Sequence, residues 1–355
     1  LQQHLEQVNR VFSELFSTDE EQKDKVTLHM DELTDEQHLD SLRQYGFDEA
    51  QVIHQRLLEF YHSKALLYMS EKAKKRFHIF FPELLKLISQ HTGQLELLNK
   101  MLALLSSIAG RSVYFELLYQ NIPLLVKLVH LFDSSHWIAE QVTRHPILLE
   151  SLLYPGRLEQ RFDRDHLRQE LDTQLLNVID DIELELDILR QFKRAQTILI
   201  ATAEIAQEIS TAQVSEFLSD LAEIILQAVY QLSCNELGSQ YGIPQCRIDD
   251  QLITPALGII AYGKLGGCEL HYQSDLDIIF LHNSSGSEQL TNGPKSIDNA
   301  VFFSRLAQKI ISKVSLLTAA GKLYEIDTRL RPNGASGMLV SSLSSYQTYQ
   351  LAKAW

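Results

Sequence analysis

Through the first two-thirds of the chain, apolar residues return every third or fourth position. Leu98, Met101, Leu102, Leu105 and Ile108 have the i, i+3, i+4, i+7 spacing of one buried helical face. Gly110 behind them is placed to stop that helix in a left-handed conformation. Leu218, Leu221, Ile225 and Ala228 repeat the spacing, with Ser215 as the expected N-cap and Glu216 favourable in the first turn. Pro123, Pro146 and Pro155 mark breaks or first turns. One window supports two periods. Ile182, Leu184, Leu186 and Ile188 alternate with acidic residues as in a half-buried strand, yet Ile182, Leu186, Leu189 and Phe192 share a helical face. No turn signal follows before Ala206, so the window is assigned as helix. From about residue 12 to 237 the pattern predicts helix after helix.

Beyond residue 237 the period shortens and glycine enters. Ala256 to Tyr262 suits a buried strand, and it leads into Gly263-Lys264-Leu265-Gly266-Gly267. Asp275 to His282 reads as a second strand, Ser284 to Pro294 as a polar loop, and Asp298 to Leu317 as a helix with Val301, Phe302, Ile310 and Val314 on its apolar face. Gly321 ends the connection, and Leu323 to Arg329 returns as a third strand. Helix, strand, glycine turn, strand, helix, strand predicts an α+β domain on a small mixed sheet. A length of 355 residues allows two domains or three. The boundary is placed at 210/211, with 1–210 as a helical linker or scaffold and 211–355 as the domain carrying the chemistry.

Charge sharpens that division. The chain has 32 Lys+Arg against 46 Asp+Glu, a formal charge of −14, which disfavours a general nucleic-acid coat or an anionic membrane as partner. Residues 238–355 hold 10 basic and 9 acidic side chains, so the excess lies in the helical part. Four of the fifteen glycines precede residue 238. The acidic run Asp180, Asp181, Glu183, Glu185, Asp187 reads as a solvated helix face, with Arg190, Lys193 and Arg194 pairing along its surface, Asp187 with Arg190 at i, i+3. Three cysteines without a CxxC pair fit a reducing cytoplasm. No uninterrupted apolar stretch is long enough to span a bilayer. The thirteen histidines show no metal-site spacing, and nothing in the helical part predicts chemistry. A first residue Leu1 and a last residue Trp355 behind an amphipathic run suggest a piece of a longer chain.

The candidate chemistry lies in the glycine-rich part. Asp275 and Asp277, two apart on a strand, project from one face, where paired carboxylates can bridge two divalent cations for phosphoryl or nucleotidyl transfer. Gly266-Gly267 would let backbone amides approach phosphate oxygens, with Lys264 beside them. If the third strand runs on to residue 331, Asp327, Arg329 and Arg331 share a face: a third carboxylate for a two-metal site and two guanidiniums for a polyphosphate. Neither a Walker A loop nor GxGxxG is present. The three carboxylates, the glycine turn and the basic groups, in this order, predict a nucleotidyltransferase site.

Gly263-Lys264-Leu265-Gly266-Gly267-x-Glu269-Leu270-x-x-x-Ser274-Asp275-Leu276-Asp277 resembles the signature of the glutamate–ammonia ligase (glutamine synthetase) adenylyltransferases, within the DNA polymerase β-like nucleotidyltransferase superfamily. Asp327-x-Arg329-Leu330-Arg331-Pro332-x-Gly334-x-Ser336-Gly337-x-Leu339-Val340 resembles it too, and Leu189-Arg190-Gln191-Phe192-Lys193 is similar to the family's helical linker. The resemblance covers essentially the whole chain. It implies a polymerase β-like catalytic domain after a helical region, ATP as substrate, and a tyrosine of glutamine synthetase as AMP acceptor. Family members carry two such domains, a phosphorolytic one that removes AMP and a C-terminal one that adds it. The preceding helices and Ala335-Ser336-Gly337-Met338-Leu339-Val340-Ser341-Ser342 resemble the adding copy. With one Asp-x-Asp site, this chain is not expected to run both reactions at separate centres, and the family continues beyond Trp355 into a further helical region. The implied roles are two Mg²⁺ on Asp275 and Asp277, with Asp327 holding the ion nearest the attacking oxygen and helping to take the tyrosine proton. Gly266, Gly267 and Ser274 would contact phosphates, with Lys264, Arg329 and Arg331 as further contacts. The signal protein PII is the implied regulator. The alternatives are the phosphorolytic twin, or a non-catalytic module that binds PII.

Overall fold

In a computed structural model, residues 34–153, 162–178, 181–318 and 321–353 are described. The chain divides into two compact units, Leu1–Tyr154 and Pro155–Trp355. The boundary expected at 210/211 lies inside the second unit.

The first unit is helical throughout its described residues: α1 (Asp35–Tyr45), α2 (Ala50–Tyr61), α3 (Lys64–Leu67), α4 (Glu71–Ser89), α5 (Gln94–Ile108), α6 (Ser112–Gln120), α7 (Ile122–Ser134), α8 (His136–Arg144) and α9 (Leu148–Leu153). Its core is aromatic where α2, α4 and α6 meet. Phe77 and Phe81 lie 4.4 Å apart between ring centroids, with Phe60 and Phe115 around them. The five predicted apolar positions of α5 are all buried. That helix ends as expected at residue 108, but not through a left-handed Gly110. Ala109 stays right-handed, and the Arg111 amide closes the end by donating to the Ile108 carbonyl at 2.8 Å. Pro123 sits in the first turn of α7 and Pro146 in the turn before α9, while Pro155 lies outside the described residues.

The second unit opens with α10 (Arg164–Leu176), α11 (Ile182–Ile205) and α12 (Thr211–Tyr241). The window that supports two periods is helical in α11, where Asp181 caps the start by accepting from the Leu184 amide at 3.1 Å. The acidic run is only partly solvated, since Glu185 is buried; Asp180 lies outside the described residues. Helix α12 begins earlier than expected. Ser210, not Ser215, is the N-cap, in a reciprocal box with Gln213, and Ser215 is buried inside the helix.

Two sheets follow. In the first, β1 (Pro244–Ile248) pairs antiparallel with both β2 (Gln251–Ile253) and β5 (Ser287–Thr291). The expected polar loop over 284–294 therefore contains a strand, mostly exposed. In the second sheet, β3 (Leu257–Ala261) pairs antiparallel with β4 (Leu276–His282), and β4 pairs in parallel with β6 (Ile326–Asp327) and β7 (Val340–Ser342). The sheet is mixed, as predicted, but β3 forms its edge rather than its interior, leaving Ile260 41% exposed. Helix α14 (Asn299–Ser315), capped by Asp298, packs against α12. It buries Phe302, Ile310 and Val314, while Val301 faces solvent. The buried Asn299 amide donates to the Gln245 carbonyl of β1 (2.7 Å) and to Ser284 Oγ in the loop after β4 (2.9 Å). The α+β class holds. Among the described residues, no helix is long and apolar enough to cross a membrane, and all three cysteines are free thiols.

Candidate active site

Strand β4 lies at the centre of the mixed sheet and carries Asp277 as its second residue, with Asp275 just before the strand. Strand β6 lies parallel beside it, in a register that pairs Leu276 with Ile326 and Asp277 with Asp327. Residues paired across neighbouring strands project to the same face, so the third carboxylate stands next to the second. Asp277 titrates above the ordinary carboxylate range. Partial burial is the first cause and the charges of Asp275 and Asp327 come next, against the opposing effect of Arg329 and Lys264. Such mutual repulsion marks a carboxylate group short of positive charge.

The glycine turn is built differently from expectation. After β3 the Tyr262 amide donates to the Asp277 carbonyl at 2.8 Å, and the chain enters one helical turn, α13 (Gly263–Gly266). Gly263 has φ +52°, and a Cβ there would lie 2.2 Å from Asp277 Oδ2. Gly263 is thus the residue whose missing side chain makes room for the carboxylate. The amides of Gly266 and Gly267 are spent within the turn, on the carbonyls of Tyr262 (2.9 Å) and Gly263 (3.0 Å). Gly266 is required for packing, since its Cβ would meet the Ala261 carbonyl at 2.8 Å, whereas Gly267 has nothing closer than 3.4 Å. The Ser274 hydroxyl accepts from the His271 amide at 3.0 Å and so braces the turn before Asp275.

The basic candidates separate. Strand β6 ends at Asp327, so the expected continuation through Arg329 to residue 331 does not form. Arg329 folds back onto Asp327: its amide reaches Oδ1 (2.7 Å), and its Nε (2.7 Å) and Nη2 reach Oδ2. This grip holds the Asp327 carboxyl below the usual range. Arg331 braces its own loop instead, donating to the Gly337, Thr328 and Ala335 carbonyls at 3.1, 2.9 and 3.0 Å. Lys264 is exposed, within charge reach of Asp277.

With Asp327 turned to Arg329, the three carboxylates line one face without closing on a point. Among the described residues, the group that brings three ligand atoms within 4.8 Å of one another is Asp35, His38 and His54 of the first unit. A cavity of about 480 Å³ lined by Arg164, Tyr230, Leu265 and Ile278 lies on the other side of β4 from Asp277, because successive strand residues face opposite ways.

Helix α11 holds the segment that leads into the strand with the third carboxylate. Arg190 and Lys193 of α11 turn inward; the expected Asp187–Arg190 pair forms, but with Arg190 buried rather than on a solvated surface. Arg190 donates to Asp187 (2.9 Å) and to the Leu316 carbonyl (3.4 Å). Lys193 donates to the Leu323 carbonyl, with its ammonium 3.9 Å from the centroid of the Tyr324 ring, two residues before β6. Burial, then the charges of Arg194 and Lys322, hold the Lys193 amine down to about 8. Between about pH 8 and the unfolded value near 10.4, the unfolded chain binds more protons here, so stability rises with pH across that window. The unfolding free energy of the wild type, measured against Lys193→Met, is expected to rise by on the order of 1–3 kcal/mol from pH 8 to 10. A difference constant with pH contradicts the desolvated ammonium.

Comparison with known proteins bears on the same residues. The family model for glutamate-ammonia ligase adenylyltransferase matches residues 125–355, which include every candidate site residue. The chain belongs to this family. A Thioalkalivibrio sulfidiphilus protein named as a bifunctional glutamine synthetase adenylyltransferase/adenylyl-removing enzyme is 48% identical over 259 residues, 73% of this chain and 27% of its own length. A Pasteurella multocida protein of the same name is 39% identical across the whole of this chain and 36% of its own length. A Psychromonas ingrahamii protein, also so named, is 37% identical across the whole chain and 38% of its length. The chain thus spans about a third of the length of these curated adenylyltransferase relatives. Sequence reasoning missed two features of this family member: the role of Gly263, legible only as one of three nearby glycines, and that of Lys193, which its basic run beside an acidic one placed on a surface.

Proposed function

We propose that this chain carries the AMP-adding centre of its family, transferring AMP from ATP to a tyrosine hydroxyl of glutamine synthetase and releasing pyrophosphate. The observation that carries the reading is the parallel register that sets Asp327 beside Asp277, with Asp275 two residues earlier and Gly263 clearing the space between turn and strand. The transferase domain is taken as 211–355 and the helical scaffold as 1–210. In the reaction the tyrosine oxygen attacks the α-phosphorus, the bond to the bridging oxygen breaks, and pyrophosphate leaves with the electron pair.

The carboxylate donor set fits a hard cation that takes oxygen ligands, and its uncompensated charge at Asp277 fits the same need. Asp275 and Asp277 would hold two Mg²⁺, with Asp327 on the second. Bound there, the ions would offset the triphosphate charge and lower the tyrosine pKa from about 10. Arg329 would exchange its grip on Asp327 for a phosphate, freeing that carboxylate to hold its ion and accept the phenol proton. The first amides of α13, at Gly263 to Leu265, lack partners within the helix and are better placed for phosphate than those of Gly266 and Gly267. Lys264 adds charge beside them. Ser274 and Arg331 serve by shaping the two loops around the site. The setting is cytoplasmic, where ATP and glutamine synthetase meet, with PII as regulator; nucleic acid and membrane are not partners.

Calorimetry of the chain with ATP tests this. Binding should require Mg²⁺ and weaken sharply in Asp275→Asn, and equal binding with and without Mg²⁺ would overturn the metal assignment. Release of ADP from phosphate and AMP-modified glutamine synthetase, without transfer from ATP, would assign the phosphorolytic twin reaction instead.

A further inference from the structure

The first unit contains a ligand cluster that the transferase reading does not use. Helix α1 is started by Thr34 and Gln37 in a reciprocal capping box, which sets Asp35 at its first position and His38 one turn later on the same face. A left-handed Gly46 ends α1, and α2 packs against it, bringing His54 opposite. The His38 and His54 rings lie 5.5 Å apart between centroids, and His54 Nε2 is 3.4 Å from Asp35 Oδ1. One ligand atom from each of the three lies within 4.8 Å of the others.

Burial makes the arrangement informative. His38 is 1% exposed and His54 7%, and all four of their ring nitrogens are without a hydrogen-bond partner among the described residues. Buried imidazoles ordinarily donate from one nitrogen and accept at the other. Here two imidazole lone pairs and a carboxylate converge where, among the described residues, no donor side chain meets the rings, and a cation is the group that satisfies all three at once. The Asp35 side chain is 83% exposed, so one flank stays open to water and Asp35 is free to close on an ion.

We propose that Asp35, His38 and His54 form a zinc site clipping α1 to α2. Two imidazole nitrogens and one carboxylate oxygen, with a water in fourth place, suit Zn²⁺ in tetrahedral coordination. Magnesium prefers an all-oxygen shell, so this site and the aspartate site of the second unit select different ions.

The test uses the full chain, stripped of metal by a chelator and titrated with Zn²⁺ alone against a chromophoric competitor. One Zn²⁺ per chain is expected, raising the melting temperature. Because Asp35 is exposed, Asp35→Ala should melt with the wild type when metal-free, bind zinc roughly tenfold or more weakly, and gain little from it. Asp277→Asn should keep this zinc, which separates the site from the transferase centre. Co²⁺ in place of Zn²⁺ should give the visible absorption of a tetrahedral site in the wild type and lose it in His54→Gln. No stoichiometric zinc, or equal zinc affinity and stabilisation in wild type and Asp35→Ala, would overturn the proposal.

Discussion

Asp277→Asn is expected to lower AMP transfer by roughly a thousandfold or more, about 4 kcal/mol of barrier, and to do so without unfolding the chain. Asparagine keeps the size and one acceptor oxygen of the side chain but removes the charge that would hold a cation. Its effect on stability has a definite sign. Asp277 titrates high because of burial and its carboxylate neighbours, so its ionised form costs the metal-free fold stability at neutral pH. Removing that charge should leave the metal-free melting temperature unchanged or raise it, while abolishing any rise on adding Mg²⁺. Asp275→Asn should remove activity similarly. Transfer near the wild-type rate in either variant, or a Mg²⁺ response retained by Asp277→Asn, would contradict the placement of the ion.

Gly263→Ala should be nearly as damaging, for a steric reason. A methyl group at 263 would lie 2.2 Å from Asp277 Oδ2 and 3.0 Å from its Cγ, distances at which something must move. The left-handed backbone adds strain for any residue with a Cβ. The fold should survive with a loss of about 1–3 kcal/mol. A carboxylate displaced by an ångström is expected to cost on the order of a hundredfold in turnover. Gly267→Ala is the control. Its Cβ would meet only ordinary contacts with the Glu269 side chain and the Gly263 carbonyl, so activity should stay within a few-fold of wild type. Equal damage at 263 and 267 would restore the phosphate role first assigned to the glycine pair.

These contrasts show what was legible beforehand. Asp275 and Asp277 could be singled out because two carboxylates two apart on a strand share a face, and Asp327 because a third carboxylate with basic residues follows on the next strand. Their neighbourhood could not, since the Asp277–Asp327 register depends on β6 pairing in parallel after a connection of more than forty residues. Alternation continued past Asp327 puts Arg331 on the strand's charged face, whereas its guanidinium closes the loop through Thr328, Ala335 and Gly337. Strand β5 was hidden by its polar, exposed sequence, which a sheet with one solvated side allows. Lys193 looks like surface charge along a helix and becomes a brace only when residues 323–324 return beneath it. His38 and His54 are legible as helical residues, but their meeting depends on how α1 packs on α2.

The most direct measurement of the central proposal is the intact mass of unmodified glutamine synthetase after incubation with this chain, ATP and Mg²⁺. The expected result is one added AMP per modified subunit, located on a tyrosine, with pyrophosphate released in equal amount and neither product formed by Asp277→Asn. An unchanged mass from a folded chain that binds Mg²⁺ and ATP would contradict it.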